Sequence, residues 1–243
     1  MTAMATWNSS GVTRGANGLF EALMKACPTL GAKARASDER VGAELVSAGR
    51  AMPQVYFPTE GVLSIVVRLA SGGASEVMTV GNEGMVGLSV WLGLGWSIET
   101  VVKQAEGEVM AVPAGAFTSA TEGSGTAQQL LAHYAAYALS CTAQTCVCNA
   151  HHSAEQRACR WLLSSADRAG SNTLNMTQTM LAEMIAARRQ TVGEVVVGLR
   201  RAGLIDLRRQ RIELLDRAAL ERRACECYGA TRAAYRKLVA PLL

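Results

Sequence analysis

A chain of 243 residues with 49% hydrophobic and 18% charged residues can bury one large or two small cores, and this composition excludes a disordered protein. No run approaches 18 uninterrupted apolar residues, which argues against a transmembrane helix. The formal net charge is +4, but residues 151–243 hold 16 Lys plus Arg against 9 Asp plus Glu, while the first 150 hold 8 against 11. A basic C-terminal part on a mildly acidic N-terminal one points to a polyanionic partner for the former.

The first sixteen residues, MTAMATWNSSGVTRGA, lack an apolar signal-peptide core and read as a polar leader of a cytoplasmic protein. A short helix is expected around Gly18 to Lys25. From about residue 40 to 117 the punctuation is that of β structure. Val55-Tyr56-Phe57 stops at Pro58, Thr59-Glu60-Gly61 supplies a turn, and Val62 to Leu69 is a β-branched run closed by Ser71-Gly72-Gly73. Glu76 to Val80, Glu99 to Gln104 and Glu108 to Val112 continue the series, so an antiparallel sandwich or barrel is expected over 17–122.

After Gly123-Ser124-Gly125 the character changes. Thr126 to Asn149 lacks Gly and Pro and predicts one long helix within a segment 123–152. Leu130, Tyr134, Tyr137, Cys141, Gln144 and Cys148 recur at four-three-four-three-four spacing, a heptad seam suited to a two-helix interface. The same seam could pack on its own chain; dimerisation is the preferred reading. The seven cysteines, odd in number and scattered, do not form a disulfide framework and read as small buried residues. His151-His152 lie beside Cys146 and Cys148, but side chains on one helix cannot all point the same way, so no metal site is expected.

A further helix is expected from Ser153 to Arg168, with Ala158, Trp161, Leu162 and Ser165 inward, opening a domain that runs to 243. Thr177 or Asn175 can cap a helix from about Gln178 with Leu181, Met184 and Ile185 inside. Another starts near Arg188 or Arg189 and buries Val192, Val195, Val196 and Leu199. Only about three residues separate the two, which forces a sharp crossing and leaves one face of the second helix free. On that face Arg189, Gln190 and Glu194 are the expected base readers, since Arg pairs with guanine, Gln with adenine and Glu with the cytosine amine. Thr177, Gln178, Arg188 and Thr191 are candidates for phosphate contacts. Leu204 to Leu207 and Arg211 to Leu215 alternate as two strands, and Arg208, Arg209 and Arg211 at their tip can lie on the DNA backbone. Helix, turn, helix and basic hairpin make a winged helix-turn-helix for double-stranded DNA.

With these elements in order, the chain resembles the Crp/Fnr family of bacterial transcription regulators over about residues 40 to 216. The resemblance rests on Thr177-Gln178 with Leu181-Ala182, on Arg189-Gln190-Thr191-Val192, and on Leu199-Arg200-Arg201-Ala202-Gly203-Leu204-Ile205. Upstream, Val55-Tyr56-Phe57-Pro58 and Gly81-Asn82-Glu83-Gly84-Met85-Val86-Gly87 look like the family's sensory β-roll, and Arg157, Arg160, Trp161 and Leu162 match the helix leading into its DNA-binding domain. The resemblance implies an α+β fold: a cyclic-nucleotide-binding-like antiparallel β-roll, a long dimerisation helix and a C-terminal winged helix-turn-helix. It implies a homodimer reading a palindromic operator, with RNA polymerase a candidate partner and no membrane involved.

Departures from the family limit what the resemblance implies about the signal. Met85 stands where cyclic-AMP-binding members carry Glu, and no Arg or Lys occurs between Arg68 and Lys103, so cyclic AMP in the usual mode is not supported. Cys27 alone precedes Cys141, and His133 is the first histidine, so neither an iron–sulfur cluster nor haem is supported. Gly84, Met85, Gly87, Trp91 and Trp96 are candidates for an apolar effector pocket, although a roll filled by its own side chains is the preferred reading. Met180, Ala186 and Glu194 replace the acidic residue, the turn glycine and the basic or hydroxyl residue common in the family. The alternative reading is a thiol-based redox sensor using Cys141, Cys146 or Cys148. No nucleophile–base pair or phosphate loop is visible, and no enzyme is expected.

Overall fold

Each turn signal of the first half ends a short strand, and the strands assemble into two antiparallel sheets. The computed structural model describes residues 15–37 and 39–243; the polar leader up to residue 14 lies outside them. Helix α1 (Gly18–Ala26) comes first, capped by Asn17, whose side chain accepts from the Phe20 amide at 2.9 Å. The Asn17 amide also donates to the carbonyls of Pro58 and Gly84, so one buried side chain ties the helix to two turns of the sheets.

Strands β1 (Arg35–Ser37), β2 (Glu44–Val46), β3 (Gln54–Pro58), β4 (Val62–Arg68) and β5 (Ala74–Val80) follow. After a short helix α2 (Leu88–Trp91) come β6 (Thr100–Ala105), β7 (Val109–Pro113) and helix α3 (Ala114–Thr121). One sheet has the order β1-β7-β3, the other β2-β6-β4-β5, and every pairing is antiparallel. Val55, Phe57, Val109 and Val112 of the first sheet share a core with Leu63, Val80 and Val101 of the second. Phe57 stacks between Phe20 and Phe117 with ring centroids 4.7 and 6.3 Å away, which adds aromatic contact to the burial.

Helix α4 (Gly125–His151) runs along this roll, its first turn capped by Ser124. The seam expected to meet a partner is turned inward instead. Leu130, Tyr134, Tyr137, Cys141 and Cys148 are all buried against their own chain. Tyr134 donates to the Met85 carbonyl at 2.7 Å, and its ring fills the space where a side chain at position 84 would stand; a Cβ on Gly84 would lie 2.3 Å from it. A heptad stripe reports one buried face and says nothing about which chain buries it. The stripe left exposed is Ala132, Ala136, Leu139, Ala143, Cys146 and Ala150, which keeps the same four-three spacing on another side of the helix.

Helix α5 (Ala154–Ala169) starts with a capping box in which Ser153 and Gln156 satisfy each other's backbone amides, and it ends at Gly170 in the left-handed conformation. Strand β8 (Thr173–Asn175), helices α6 (Gln178–Met184) and α7 (Arg189–Arg201), and strands β9 (Ile205–Arg208) and β10 (Arg211–Leu214) complete a second unit with sheet order β8-β10-β9. Its core joins Trp161 and Leu162 to Leu181, Ile185, Val192, Val196, Leu199, Ile205 and Ile212.

Helix α5 also docks on the roll through polar contacts. Trp161 donates to Glu76 at 2.8 Å, the Gln104 amide to Ser165 at 2.8 Å, and Arg168 to Glu83 at 2.7 Å. Burial alone would lower the Arg168 pKa, but the adjacent Glu83 carboxylate, 2.7 Å from Nε, more than offsets this and raises it.

After α8 (Arg217–Arg223) the tail helix α9 (Cys227–Leu238) turns back along α4. Tyr235 meets the Tyr137 ring edge-on at 5.8 Å, and the Leu238 carbonyl lies 2.9 Å from His133 Nδ1. The later part of the tail therefore joins the core of the first half, while Tyr228 in the first turn of α9 packs in the core of the winged helix. Among the described residues no helix is long and apolar enough to cross a membrane.

Candidate functional site

The short connection between α6 and α7 is closed by Ala186, which adopts φ = 51°, the left-handed conformation that a turn this tight requires. Thr177 caps α6 by accepting from the Met180 amide at 3.1 Å. Gln178, in its first turn, approaches α7 where Gly193 presents no side chain; a Cβ there would sit 3.9 Å from Gln178 Oε1. With Val192, Val196 and Leu199 buried, α7 turns Arg189, Gln190, Glu194 and Val197 to solvent. Arg188, just before the helix, is exposed, and Thr191 is half-buried. Arg189 and Gln190 occupy the first turn, the end that enters a groove first.

The wing turns at Arg209, which has φ = 50°, and Arg208, Arg209, Gln210 and Arg211 are all exposed. Asp206 braces the hairpin. It accepts from Arg208 at 2.7 Å and lies 3.7 Å from Arg200 of α7, so one carboxylate ties the wing to the helix. The Arg208 hydrogen bond holds the Asp206 carboxyl below the usual carboxylate range.

A second feature lies between the roll and α4. A cavity of about 370 Å³ is lined by Met52, Met78, Met85, Trp91, Tyr134 and Leu139 among others, with Gly87 at its wall. Of the candidate pocket residues, Met85, Gly87 and Trp91 line it. Gly84 instead makes room for Tyr134, and Trp96 is not part of the lining. The roll is thus not filled by its own side chains, because the two sheets and α4 meet without closing. Among the described residues Glu99 is the one charged side chain in the lining, and burial raises its pKa. Leu92 and Ile98, both exposed, are also in the lining, and Leu94 and Trp96 are exposed on the same loop.

The cysteines divide by environment. Burial pushes the Cys141 thiol up to about 11, which leaves it little thiolate character, whereas Cys146 is exposed on the free stripe of α4. Cys148 is buried and lies 3.5 Å from Cys225, whose hydrogen bond draws the Cys148 thiol below its usual range. Cys148 and His152 do share a face, being four residues apart, and Cys225 and Cys227 of the tail join them. Cysteines and histidines of a single helix could not reveal this grouping, since half of it comes from the other end of the chain.

Residues 156–223 match the Crp-like helix-turn-helix domain family. No curated protein gives a significant match. Among solved structures, the chain is similar to a CRP-family transcriptional regulator from Thermus thermophilus, at 22% identity and a TM-score of 0.65, over 78% of this chain and 96% of that one. FixK2 from Bradyrhizobium japonicum gives 16% identity and a TM-score of 0.67 over 79% and 98%. The c-di-GMP responsive regulator CLP from Xanthomonas campestris gives 15% and 0.62 over 82% and 99%. At such identities the likeness concerns the fold. Residues 156–223 are a Crp-like helix-turn-helix domain, carried by a chain with the α+β fold of the Crp/Fnr-type transcription regulators.

Proposed function

We propose that the protein is a cytoplasmic, dimeric transcription regulator that reads a two-fold symmetric operator, and that it is not an enzyme. The observation that carries this reading is the exposed face of α7, with Arg189 and Gln190 in the first turn and Glu194 one turn later, beside a wing tip of three arginines. Arg189, Gln190 and Glu194 read base edges; Thr177, Gln178, Arg188, Thr191, Arg208, Arg209 and Arg211 hold phosphates. The working parts are a sensory roll at 17–122, a connecting helix at 123–152 and a DNA-binding part at 153–243, whose last helix leans back on the connector.

The dimer seam is the exposed α4 stripe through Ala132, Ala136, Leu139, Ala143, Cys146 and Ala150. Small residues at these positions let two helices approach closely, and Leu139, 72% exposed, is the apolar anchor. A ligand for the roll cavity is apolar and carries no phosphate, because the lining offers one carboxylate and no Lys or Arg among the described residues. A redox reading is favoured at one position: Cys146 lies on the proposed seam, where two copies would face each other.

Selection of bound duplexes from a randomised pool tests the reading. The expected result is an enriched palindrome with half-site centres about one helical turn apart. Enrichment of nothing, in the absence and in the presence of apolar ligands, contradicts it.

A further inference from the structure

The last turn of α4 and the start of the tail helix bring four metal-ligating side chains together. Cys148 and His152 are one turn apart at the C-terminal end of α4, and the His152 amide closes that turn on the Cys148 carbonyl. Cys225 stands in the link between α8 and α9, and Cys227 is the first residue of α9. The three sulfurs and the imidazole nitrogen all lie within 4.8 Å of one another. Cys148 Sγ is 3.5 Å from Cys225 Sγ, and Cys227 Sγ is 3.6 Å from His152 Nδ1. A tetrahedral zinc ion with bonds of about 2.3 Å to sulfur and about 2.0–2.1 Å to nitrogen has ligand edges of about 3.8 Å between sulfurs and about 3.6 Å from sulfur to nitrogen. The Cys227–His152 distance matches such an edge, and the Cys148–Cys225 distance is about 0.3 Å shorter than one.

The surroundings are those of a metal site rather than of apolar packing. His152 directs Nδ1 to the sulfurs while Nε2 lies 3.1 Å from the Glu226 carboxylate, the partner that fixes a ligating histidine in one tautomer. The Gln144 amide donates to Cys227 Sγ at 3.0 Å. The three cysteines form a buried group of their own, separate from both hydrophobic cores. Arg160, buried close by, has no hydrogen-bond partner at Nε among the described residues and supplies a cation for a thiolate-rich centre.

The geometry points to a structural zinc site formed by Cys148, His152, Cys225 and Cys227, which fastens the C-terminal tail to the end of the long helix. Three thiolates and one imidazole suit a borderline-soft divalent ion and disfavour magnesium or calcium, and four protein ligands leave no open position for catalysis. On binding, each of the three cysteines ends as a thiolate, its thiol proton passing to solvent, and the imidazole stays neutral with its proton on Nε2 toward Glu226. The centre then carries one negative charge, which Arg160 offsets. The site lies where α4 hands over to α5, so the ion holds the tail at the junction between the long helix and the helix that opens the DNA-binding part.

The test uses the reduced full-length protein, freed of metal with a chelator and titrated without oxygen, first with cobalt(II) and then with zinc. The expected result is stoichiometric uptake, with the thiolate charge-transfer and intense d–d absorption of a tetrahedral cobalt centre, bleached when zinc displaces it. Zinc should also raise Tm reversibly. Cys225→Ser and Cys227→Ser should lose the tetrahedral spectrum, and Glu226→Gln should weaken zinc binding about 10- to 100-fold. His151→Ala, exposed beside the site, should bind as the wild type does. The cobalt spectrum of the unaltered protein needs no variant to fold. Absence of stoichiometric uptake overturns the proposal, as does uptake unchanged in the serine variants. A Cys148–Cys225 disulfide in the isolated protein, with no metal bound after reduction, would assign the cluster to redox chemistry instead and also overturns it.

Discussion

At the scale of single residues, the turn between α6 and α7 is where sequence and backbone disagree most. Ala186 holds φ = 51°, a conformation in which its Cβ crowds the following carbonyl at a cost of about 1–2 kcal/mol. Glycine removes that strain but loses about 0.5–1 kcal/mol of unfolded-chain entropy. Ala186→Gly should therefore stabilise the protein by a few tenths of a kcal/mol to about 1 kcal/mol, read as a higher denaturation midpoint at unchanged slope. Because Ala186 is exposed, no packing is lost with its methyl group. A lower midpoint would mean that the turn does not hold this conformation in solution. Arg189 and Gln190 follow directly on this turn, so its rigidity sets their direction.

At the scale of elements, the docking of α5 on the roll turns on Glu76. Its carboxyl is fully enclosed and faces Ser64 at 2.5 Å, Thr79 at 2.7 Å and the Trp161 indole at 2.8 Å. Burial raises its pKa, and the hydrogen bonds and Arg160 only partly oppose that. Ser64 also lies 2.7 Å from Gln104 Oε1, yet a hydroxyl has one proton to give. A protonated Glu76 donating to Ser64 satisfies all of these contacts. A group whose folded pKa is raised stabilises the fold fully below its ordinary range, and that contribution is lost as pH rises through the raised value. Glu76→Gln, which imitates the neutral acid, should match the wild type in unfolding free energy near pH 4 and exceed it at pH 8, by about 1.4 kcal/mol for each unit of the shift. A wild type that gains on the variant as pH rises contradicts this. The strands β3 to β7, α4, α5 and the winged helix are legible in the sequence, because caps, glycine turns and periodicity are local signals. Helices α2 and α3 are not: one has four residues, and the other carries Gly115 and has no side-chain cap. The inward seam of α4 is legible as a seam but not as an internal one. The Cys148–Cys225 contact, 77 residues apart, leaves no periodic trace at all.

At the scale of the whole molecule, α4 has three sides: one on the roll, one under the tail and one free. If the free stripe joins two copies, Leu139→Asp should give a monomer by sedimentation while leaving the fold intact, since Leu139 is largely exposed. A dimer that persists would move the interface elsewhere. On the proposed function, α7 reads bases while the wing grips phosphate. The most direct measurement is binding of Arg189→Ala and Arg209→Ala to the selected operator and to single-base variants of it, across a salt series. Arg189→Ala should lose about 1–3 kcal/mol of discrimination at one base pair of each half-site. Arg209→Ala should weaken all sequences alike and flatten the salt dependence. A loss in Arg189→Ala that is uniform across every sequence would show a helix that only grips the backbone and would contradict sequence reading by α7.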